Sequence, residues 1–375
     1  MGKKTSLLKV AAINAAGLGV ALLAGEIVLR ITKPEALEAR LAMNNQIQKG
    51  IDQVQTLFDK EKFHFATNST GQQLHSEYQH DVQHDQHGWR NPCFDNKNPA
   101  SAIIIGDSYT YGIGVGDNDL LQCQAKALDP KSNIYAMGVP GAAISQYIRI
   151  VKTQSELIKS LSPNKSVINL ALCMGNDYED LVAYGAYRNG TKMTINEIMP
   201  QFKANRLNNW LSSINTVLLH HPWIANSRLI TSIKMSLMQS MRTKDHGNFY
   251  SNYGGQTFYK KSAPSQSKAL KKSLSQIQAD LKEAGFSLGS IILIPDGSEI
   301  SSSRLQRDAQ LGGFKSADVD PGFKFNGVLK ACKAQKLECI DFRENLNSQD
   351  YYNFDGHFRP SGVKKMAQAV SNKLQ

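Results

Sequence analysis

The sequence predicts an α/β fold in which a largely parallel sheet is covered by helices. Short apolar, β-branched runs alternate with stretches of helical periodicity from residue 102 to the C-terminus. The first run, at 102–105, stops at a glycine turn, which is typical of a buried parallel strand. The 375 residues, 41% hydrophobic and 20% charged, have an ordinary globular composition and suffice for one large domain with appendages.

This alternation predicts five strands and four helices. The strands are expected at residues 102–105, 133–136, 167–171, 290–294 and 337–342. The helices are expected at residues 119–128, 144–161, 323–335 and 361–374. Ligands of open α/β sheets bind at the carboxyl ends of the strands, so chemistry-bearing residues at those ends are candidates for a site.

The interval between the third and fourth strands is far longer than a crossover needs. We expect a helical insertion at about 180–288. Within it, residues 207–241 are rich in Leu, Ile, Met and Trp, and they fit either a lid over the crevice or a cap on the sheet. Residues 243–267 are rich in Gly, Ser, Asn and Tyr and predict a mobile loop.

The N-terminus has the pattern of a membrane anchor. Basic residues precede an apolar stretch, and residues 7–29 are long enough to cross a bilayer. A cleaved signal is disfavoured because cleavage after Ala24 would place Leu22 at the −3 position. We therefore expect an anchor at 1–32, a stalk and leading segment at 33–99 and the main domain at 100–375. The resulting protein would be a single-pass membrane protein with its domain on the extracytoplasmic side.

The net charge and the histidine spacing indicate which classes of binding partner and ligand are expected for this protein. The 43 basic and 32 acidic residues give a net charge of +11, which favours anionic surfaces. Nucleic acid is not expected, because no recognised nucleic-acid-binding motif is present. Residues 64–99 contain five histidines, but their spacing matches no zinc motif, so we interpret them as a solvated segment. No metal and no cofactor are expected, since Walker and dinucleotide fingerprints are also missing from the sequence.

Five cysteines leave at least one unpaired. Cys332 and Cys339 lie across a predicted helix-to-strand turn and could bridge in an oxidising compartment. Cys173 ends an apolar run, and we interpret it as a small buried residue.

Four segments carry complementary chemistry. Ser108 follows the first strand in Gly-Asp-Ser, and His357 follows Asp355 near the C-terminus. A serine needs a base to take its proton, and a carboxylate that orients the base improves it. Asn176 could donate an amide N–H to an oxyanion, and Gly138 could donate a backbone N–H that no side chain shields.

These blocks resemble the SGNH (GDSL-type) hydrolase family, including its membrane-anchored bacterial members. The resemblance implies a flavodoxin-like three-layer α/β/α sandwich. It also implies a triad of Ser108, His357 and Asp355. The oxyanion hole would comprise the Ser108 N–H, the Gly138 N–H and the Asn176 side chain. Supporting roles fall to the neighbouring residues Asp107, Gly175 and Asp177.

The resemblance implies a serine esterase that acts through an acyl-enzyme. Its substrates would be acylated, for instance acetylated, cell-envelope glycans, lipids or small esters. Two alternatives remain open: an O-acetyltransferase of an exported polysaccharide that uses the same triad, and a catalytically idle binding or assembly protein that keeps the fold. The four complementary blocks argue against the idle protein, because binding requires none of that chemistry.

Overall fold

The chain was analysed as a computed structural model. It describes residues 2–34, 37–38, 41, 58–59, 63–75, 77–163, 165–187, 227–233, 244–251, 256–371 and 373–374. These residues fall into two compact units. One is drawn from residues 1–50 and 204–242, and the other from residues 51–203 and 243–375. The predicted lid or cap at 207–241 lies outside the described residues except for 227–233.

The first unit is built on helix α1, Gly2–Thr32. The Glu26 carboxylate on this helix accepts the backbone N–H groups of Arg228 and Leu229 at 3.2 and 2.8 Å. Across the described ranges, no helix combines the length and the apolar character that a membrane crossing requires. The anchor predicted at 7–29 gains no support from the structure and stays a prediction.

The second unit contains a five-stranded parallel sheet. Its strands are β1 Ala102–Gly106, β2 Ile134–Gly138, β3 Val167–Cys173, β4 Ser287–Ile294 and β5 Cys339–Asp341. The spatial order is β5-β4-β3-β1-β2, and every neighbouring pair is parallel. Each predicted strand overlaps an observed one, so the predicted parallel sheet is confirmed. The order reverses between β1 and β3, which marks the edge where such sheets bind ligands.

One buried polar residue interrupts the apolar strands. Asn169 of β3 donates to the Ile103 carbonyl at 3.1 Å and accepts the Ser290 N–H at 2.9 Å. Gly289 provides the space, since a Cβ there would lie 2.5 Å from the Asn169 Oδ1. The β3–β4 register shifts between Leu288 and Ile291, where the amide stands in for ladder bonds.

Helices cover both faces of the sheet. In chain order they are α2 Ser108–Tyr111, α3 Leu121–Leu128, α4 Ile144–Thr153, α5 Ser155–Leu161, α6 Asp177–Tyr187, α7 Ser267–Glu283, α8 Gly297–Ile300, α9 Ser302–Gly312, α10 Phe323–Ala334 and α11 Pro360–Ser371. Helices α4, α6, α7 and α10 contribute to one hydrophobic core, and α3 and α11 to a second. The two cores lie on opposite sides of the strands, which confirms an α/β/α sandwich.

The segment before the sheet is packed, in contrast to the solvated segment predicted at 64–99. Strands Thr70–Leu74 and Gln79–Gln83 form an antiparallel hairpin, here called the leading hairpin. Val82, His84 and Trp89 are buried. His84 bonds through its two ring nitrogens to Ser69 and Tyr111, which explains how a polar residue is accommodated in the interior. Burial lowers its pKa to about 4.

The interval between β3 and β4 contains regular structure as well as the expected helices. Three short strands, Lys244–Asp245, Phe249–Ser251 and Thr257–Tyr259, form an antiparallel sheet where a mobile loop was predicted at 243–267. Aromatic packing explains the difference: the Tyr259 ring stacks on Phe323 with centroids 4.4 Å apart.

Cysteine pairing agrees with the sequence prediction at one pair and extends it at another. The predicted Cys332–Cys339 disulfide is present, and a second disulfide joins Cys93 to Cys123. Cys173 is the free, buried cysteine, as expected for a residue at the end of a core strand. The second disulfide ties the segment before the sheet to helix α3.

Candidate active site

Ser108 lies at the carboxyl end of β1, beside the point where the strand order reverses. β1 ends at Gly106, where a Cβ would meet the Thr110 Oγ1 at 2.1 Å, so only glycine fits this turn. The Asp107 carboxylate then caps the short helix α2 by accepting the Tyr109 N–H at 3.0 Å. Ser108 is thereby the first residue of a helix, where its own N–H has no intrahelical acceptor.

The three predicted catalytic side chains converge. The Ser108 Oγ lies 2.8 Å from the His357 Nε2, and the His357 Nδ1 lies 2.6 Å from the Asp355 Oδ1. The carboxylate holds the proton on Nδ1, which leaves the Nε2 lone pair directed at the serine hydroxyl. The arrangement has the connectivity of a nucleophile, a base and an orienting acid.

The charges of this group fit the same roles. Burial acts against the imidazolium, but Asp355 outweighs it and raises the pKa of His357 above its ordinary value. Burial also acts to raise the pKa of Asp355, yet His357 and the Tyr78 hydroxyl hold that pKa well below its usual range. Asp355 therefore remains ionised next to a histidine that can accept and keep a proton.

The single residue between Asp355 and His357 is sufficient because the loop is a tight turn. The Asp355 Oδ1 also accepts the backbone N–H of His357 at 3.3 Å, which closes an Asx-turn. Tyr109 donates to the Gly356 carbonyl at 2.6 Å, and its ring lies 5.0 Å from the His357 ring. Arg304 binds the Asp355 carbonyl at 3.1 Å. These contacts hold the base at the serine.

Asn176 reaches the nucleophile block, and its role as an oxyanion donor stays a prediction. It is exposed at the end of β3, and its Nδ2 donates to the Asp107 Oδ2 at 3.3 Å. An amide carries two N–H donors, so this bond leaves one for a ligand. Asp177 is buried and accepts from the Tyr147 hydroxyl and the Cys173 N–H, both at 2.9 Å. The supporting role of Asp177 stays a prediction.

Asp107 and Asp177 form a buried carboxylate pair beside Asn176. Burial raises the pKa of Asp107. Burial and, next, the negative charge of Asp107 raise the pKa of Asp177 well above its ordinary value. Asp107 also contributes, after Asp355, to the raised pKa of His357.

The glycines take distinct places. Gly138 is buried, and a Cβ there would lie 2.1 Å from the Tyr111 backbone N, so β2 approaches helix α2 backbone to backbone. Its N–H as an oxyanion donor stays a prediction. Gly141 is exposed in the left-handed region (φ 74°), with open space at its Cβ position. Gly175 lies against Asp296, since a Cβ at this glycine would lie 3.3 Å from the Asp296 Cβ.

Sequence reasoning missed several residues that surround the triad. Tyr78 and Glu77, at the turn of the leading hairpin, bind the Asp355 loop. Arg90 is buried and donates to the Gly112 carbonyl at 2.7 Å and the Val115 carbonyl at 2.8 Å. No local pattern predicts these long-range contacts. The available sequence signal was an apolar residue, Val82, within an otherwise polar stretch, which indicates a strand with one buried position.

A polar pocket adjoins the catalytic loops. Asp296, at the end of β4, accepts from Gln256 at 3.2 Å and lies next to Gly175 and Gly356. Lys324 lies in the same pocket and donates to the Met174 carbonyl at 3.0 Å. The fourth strand thus adds a carboxylate beside the triad, and the pocket offers both donors and acceptors to a substrate.

Metal-ligating side chains do not converge anywhere in the described ranges: no group of three His, Cys, Asp or Glu residues there could hold an ion. All five histidines before the sheet contact protein groups: the His64 Nδ1 lies 2.6 Å from the Phe65 carbonyl, and the His87 Nε2 lies 3.1 Å from the Gln86 Nε2. His84 binds Ser69 and Tyr111, His80 lies 3.0 Å from the Gly114 carbonyl, and His75 accepts the Glu77 N–H at 3.2 Å.

No protein-family model matches the sequence, and no curated protein matches it. Among solved structures, a member of the lipolytic protein G-D-S-L family from Veillonella parvula is 14% identical with a TM-score of 0.34. That match covers 72% of this chain and 94% of the other. A carbohydrate acetylesterase family member from Sinorhizobium meliloti is 11% identical with a TM-score of 0.32, covering 72% of this chain and 96% of the other. Both are structures to which this chain is similar at low identity.

Proposed function

We propose that this protein is an SGNH-type serine hydrolase that removes acyl groups from ester substrates. The observation that carries the proposal is the continuous hydrogen-bonded line from Ser108 through His357 to Asp355, with contacts of 2.8 and 2.6 Å. A binding protein needs no such line, because a serine and a histidine in contact with each other contribute little to recognition. Acyl transfer to water is the reaction that this geometry fits.

The reaction begins with proton transfer. The neutral imidazole of His357 removes the Ser108 hydroxyl proton at Nε2 as the oxygen attacks the ester carbonyl. Asp355 stabilises the resulting imidazolium, which then protonates the leaving alcohol. A water molecule, deprotonated by the same imidazole, attacks the acyl-serine and releases the acid. The raised pKa of His357 suits a group that must hold a proton between these steps.

The oxyanion would be bound beside Ser108. Its donors are the Ser108 N–H, one N–H of the Asn176 side chain and the backbone N–H of Gly138. Gly141, three residues further along the same segment, is exposed with open space at its Cβ position, so a substrate can approach this segment without meeting a side chain there. Each such donor contributes about 3 kcal/mol of barrier reduction.

The nucleophile is tested by covalent labelling. The protein should react with a fluorophosphonate probe and hydrolyse p-nitrophenyl acetate, and Ser108→Ala should abolish both. Ser160→Ala, at an exposed serine on helix α5, is the matched control and should retain both. Wild-type protein that is folded but neither labelled nor active would overturn the proposal.

We also propose a substrate class and a location. Acylated glycans, lipids or small esters of the cell envelope remain the expected substrates, and the polar residues around Asp296 favour a hydroxyl-rich group beside the ester. The disulfides Cys93–Cys123 and Cys332–Cys339 support an oxidising, extracytoplasmic compartment.

Location and attachment can be tested together. Residues 7–29 are proposed to attach the protein to the inner membrane. Alkaline carbonate extraction of bacterial membranes should leave the full chain in the pellet, and a chain starting at residue 33 should become soluble. Non-reducing electrophoresis after thiol blocking should reveal both disulfides in the exported protein. Full chain in the supernatant would contradict attachment, and reduced cysteines would contradict export.

A further inference from the structure

The turn of the leading hairpin forms hydrogen bonds with the loop that carries the proposed catalytic acid, Asp355. The Glu77 carboxylate accepts three consecutive backbone N–H groups, from Asn353, Phe354 and Asp355, at 2.8, 2.9 and 2.9 Å. Each of these is a charge-assisted bond, roughly twice as strong as a neutral one. One side chain thereby fixes the backbone on which Asp355 stands.

The adjacent residue binds the acid itself. The Tyr78 hydroxyl donates to the Asp355 Oδ2, while His357 occupies the Oδ1. The Tyr78 ring is held in place by Tyr352 and His75, each with centroids 4.9 Å away. The hydroxyl therefore contacts the carboxylate from a packed, preoriented ring.

The two contacts act on different degrees of freedom. Glu77 fixes the main chain of the Asp355 loop, and Tyr78 fixes the rotation of the carboxylate about its last bond. A carboxylate with only one anchored oxygen can rotate away from the imidazole, and a catalytic group displaced by about 1 Å loses as much as 100-fold in rate. Both anchors come from a segment that lies before the sheet in the sequence.

We infer that Glu77 and Tyr78 are positioning residues of the hydrolase. Tyr78 adds a fourth member to the triad, so that Ser108, His357, Asp355 and Tyr78 form one hydrogen-bonded line, here called the relay. This inference rests on the proposed function. Tyr78 shares the negative charge of Asp355 through its hydrogen bond, and so limits how strongly the carboxylate attracts the His357 proton. Glu77 contributes by fixing the loop backbone and does not contact His357. The further charged neighbours of His357, Asp107 and Arg304, are unchanged in the Tyr78→Phe and Glu77→Gln variants.

Tyr78→Phe tests the relay. We expect kcat for p-nitrophenyl acetate to fall about tenfold with KM within twofold, because the hydroxyl touches no substrate. The acid limb of the pH profile should move to higher pH, since the full carboxylate charge then faces His357. Tyr250→Phe is the matched control, because Tyr250 also donates to an aspartate, Asp318, at the surface. An unshifted limb or an undiminished kcat in Tyr78→Phe would overturn the relay.

Glu77→Gln tests the backbone anchor. A carboxamide replaces one accepting oxygen by a donor that faces N–H groups, so the loop should loosen and kcat should fall about tenfold without a shift in the pH limb. A second readout is independent of turnover: the downfield proton resonance of the His357 Nδ1–H should be present in wild type, displaced in Tyr78→Phe and broadened in Glu77→Gln. Identical resonances in all three proteins would refute the positioning role.

The outcomes separate this inference from the proposed function. A wild-type protein without Ser108-dependent labelling would contradict the hydrolase assignment. An active wild type with unaffected Tyr78→Phe and Glu77→Gln variants would contradict only the positioning role.

Discussion

Replacing Asp355 by asparagine should reduce kcat/KM by about 1,000-fold. The His357 Nδ1 lies 2.6 Å from the Asp355 Oδ1, so the two charge centres of the ion pair are about 4 Å apart once the imidazole is protonated. At an effective dielectric constant of about 20, that separation corresponds to about 4 kcal/mol, or three factors of ten in rate. The neutral amide removes this attraction and leaves Ser108 in place.

The assay is steady-state hydrolysis of p-nitrophenyl acetate across the pH range, combined with fluorophosphonate labelling. KM should change little, because Asp355 does not contact the ester. The control is Asp341→Asn, an aspartate paired with Arg343 at the end of β5, which should retain full activity. A loss smaller than tenfold in a folded Asp355→Asn protein would refute the assignment of the acid.

Three further outcomes follow from the structure. In wild type, kcat/KM should rise with pH and reach half its maximum above pH 6.5. The raised pKa keeps His357 protonated to higher pH, and the protonated ring cannot act as the base. An acid limb of the pH profile below pH 6 would contradict this. Gly138→Ala should lower the thermal midpoint strongly, since its Cβ would lie 2.1 Å from the Tyr111 N, and an unchanged midpoint would disprove the close approach. Removing the Cys93–Cys123 disulfide with the double substitution Cys93→Ala and Cys123→Ala should cost about 3.6 kcal/mol of unfolding free energy, given its sequence separation of 30 residues. Denaturant titration of the variant and the wild type measures this cost, and equal midpoints would argue against the bond.

The strands of the sheet and the side chains of the triad were predictable because each strand and each triad segment is a pattern of a few consecutive residues. Apolar runs predict strands, and parallel strands place their carboxyl ends at one edge, where Ser108 stands. Asp355 and His357 are recognisable by their spacing and residue types. Hydrophobic periodicity is a property of a short segment, so it can be recognised in the sequence without knowing which residues the segment packs against.

The support of the triad was not predictable for the opposite reason. Glu77 and Tyr78 contact a loop 276 or more positions away, and their own neighbourhood is polar and contains no motif. Arg90 binds carbonyls of the loop after Ser108, and a carbonyl carries no sequence signature. His84 was interpreted as solvated because its partners, Ser69 and Tyr111, become neighbours only after folding.

The position of Arg90 limits how far the chain can be shortened from its N-terminal side while the Ser108 loop keeps its contacts. Its guanidinium organises the loop that follows the nucleophile, although Arg90 precedes the first strand of the sheet. A chain trimmed to start at β1 would keep all five strands, Ser108 and His357, yet it would lose the cation around which the loop carbonyls converge. Any shortened version of this protein must therefore retain Arg90, together with the leading hairpin whose Glu77 binds the Asp355 loop.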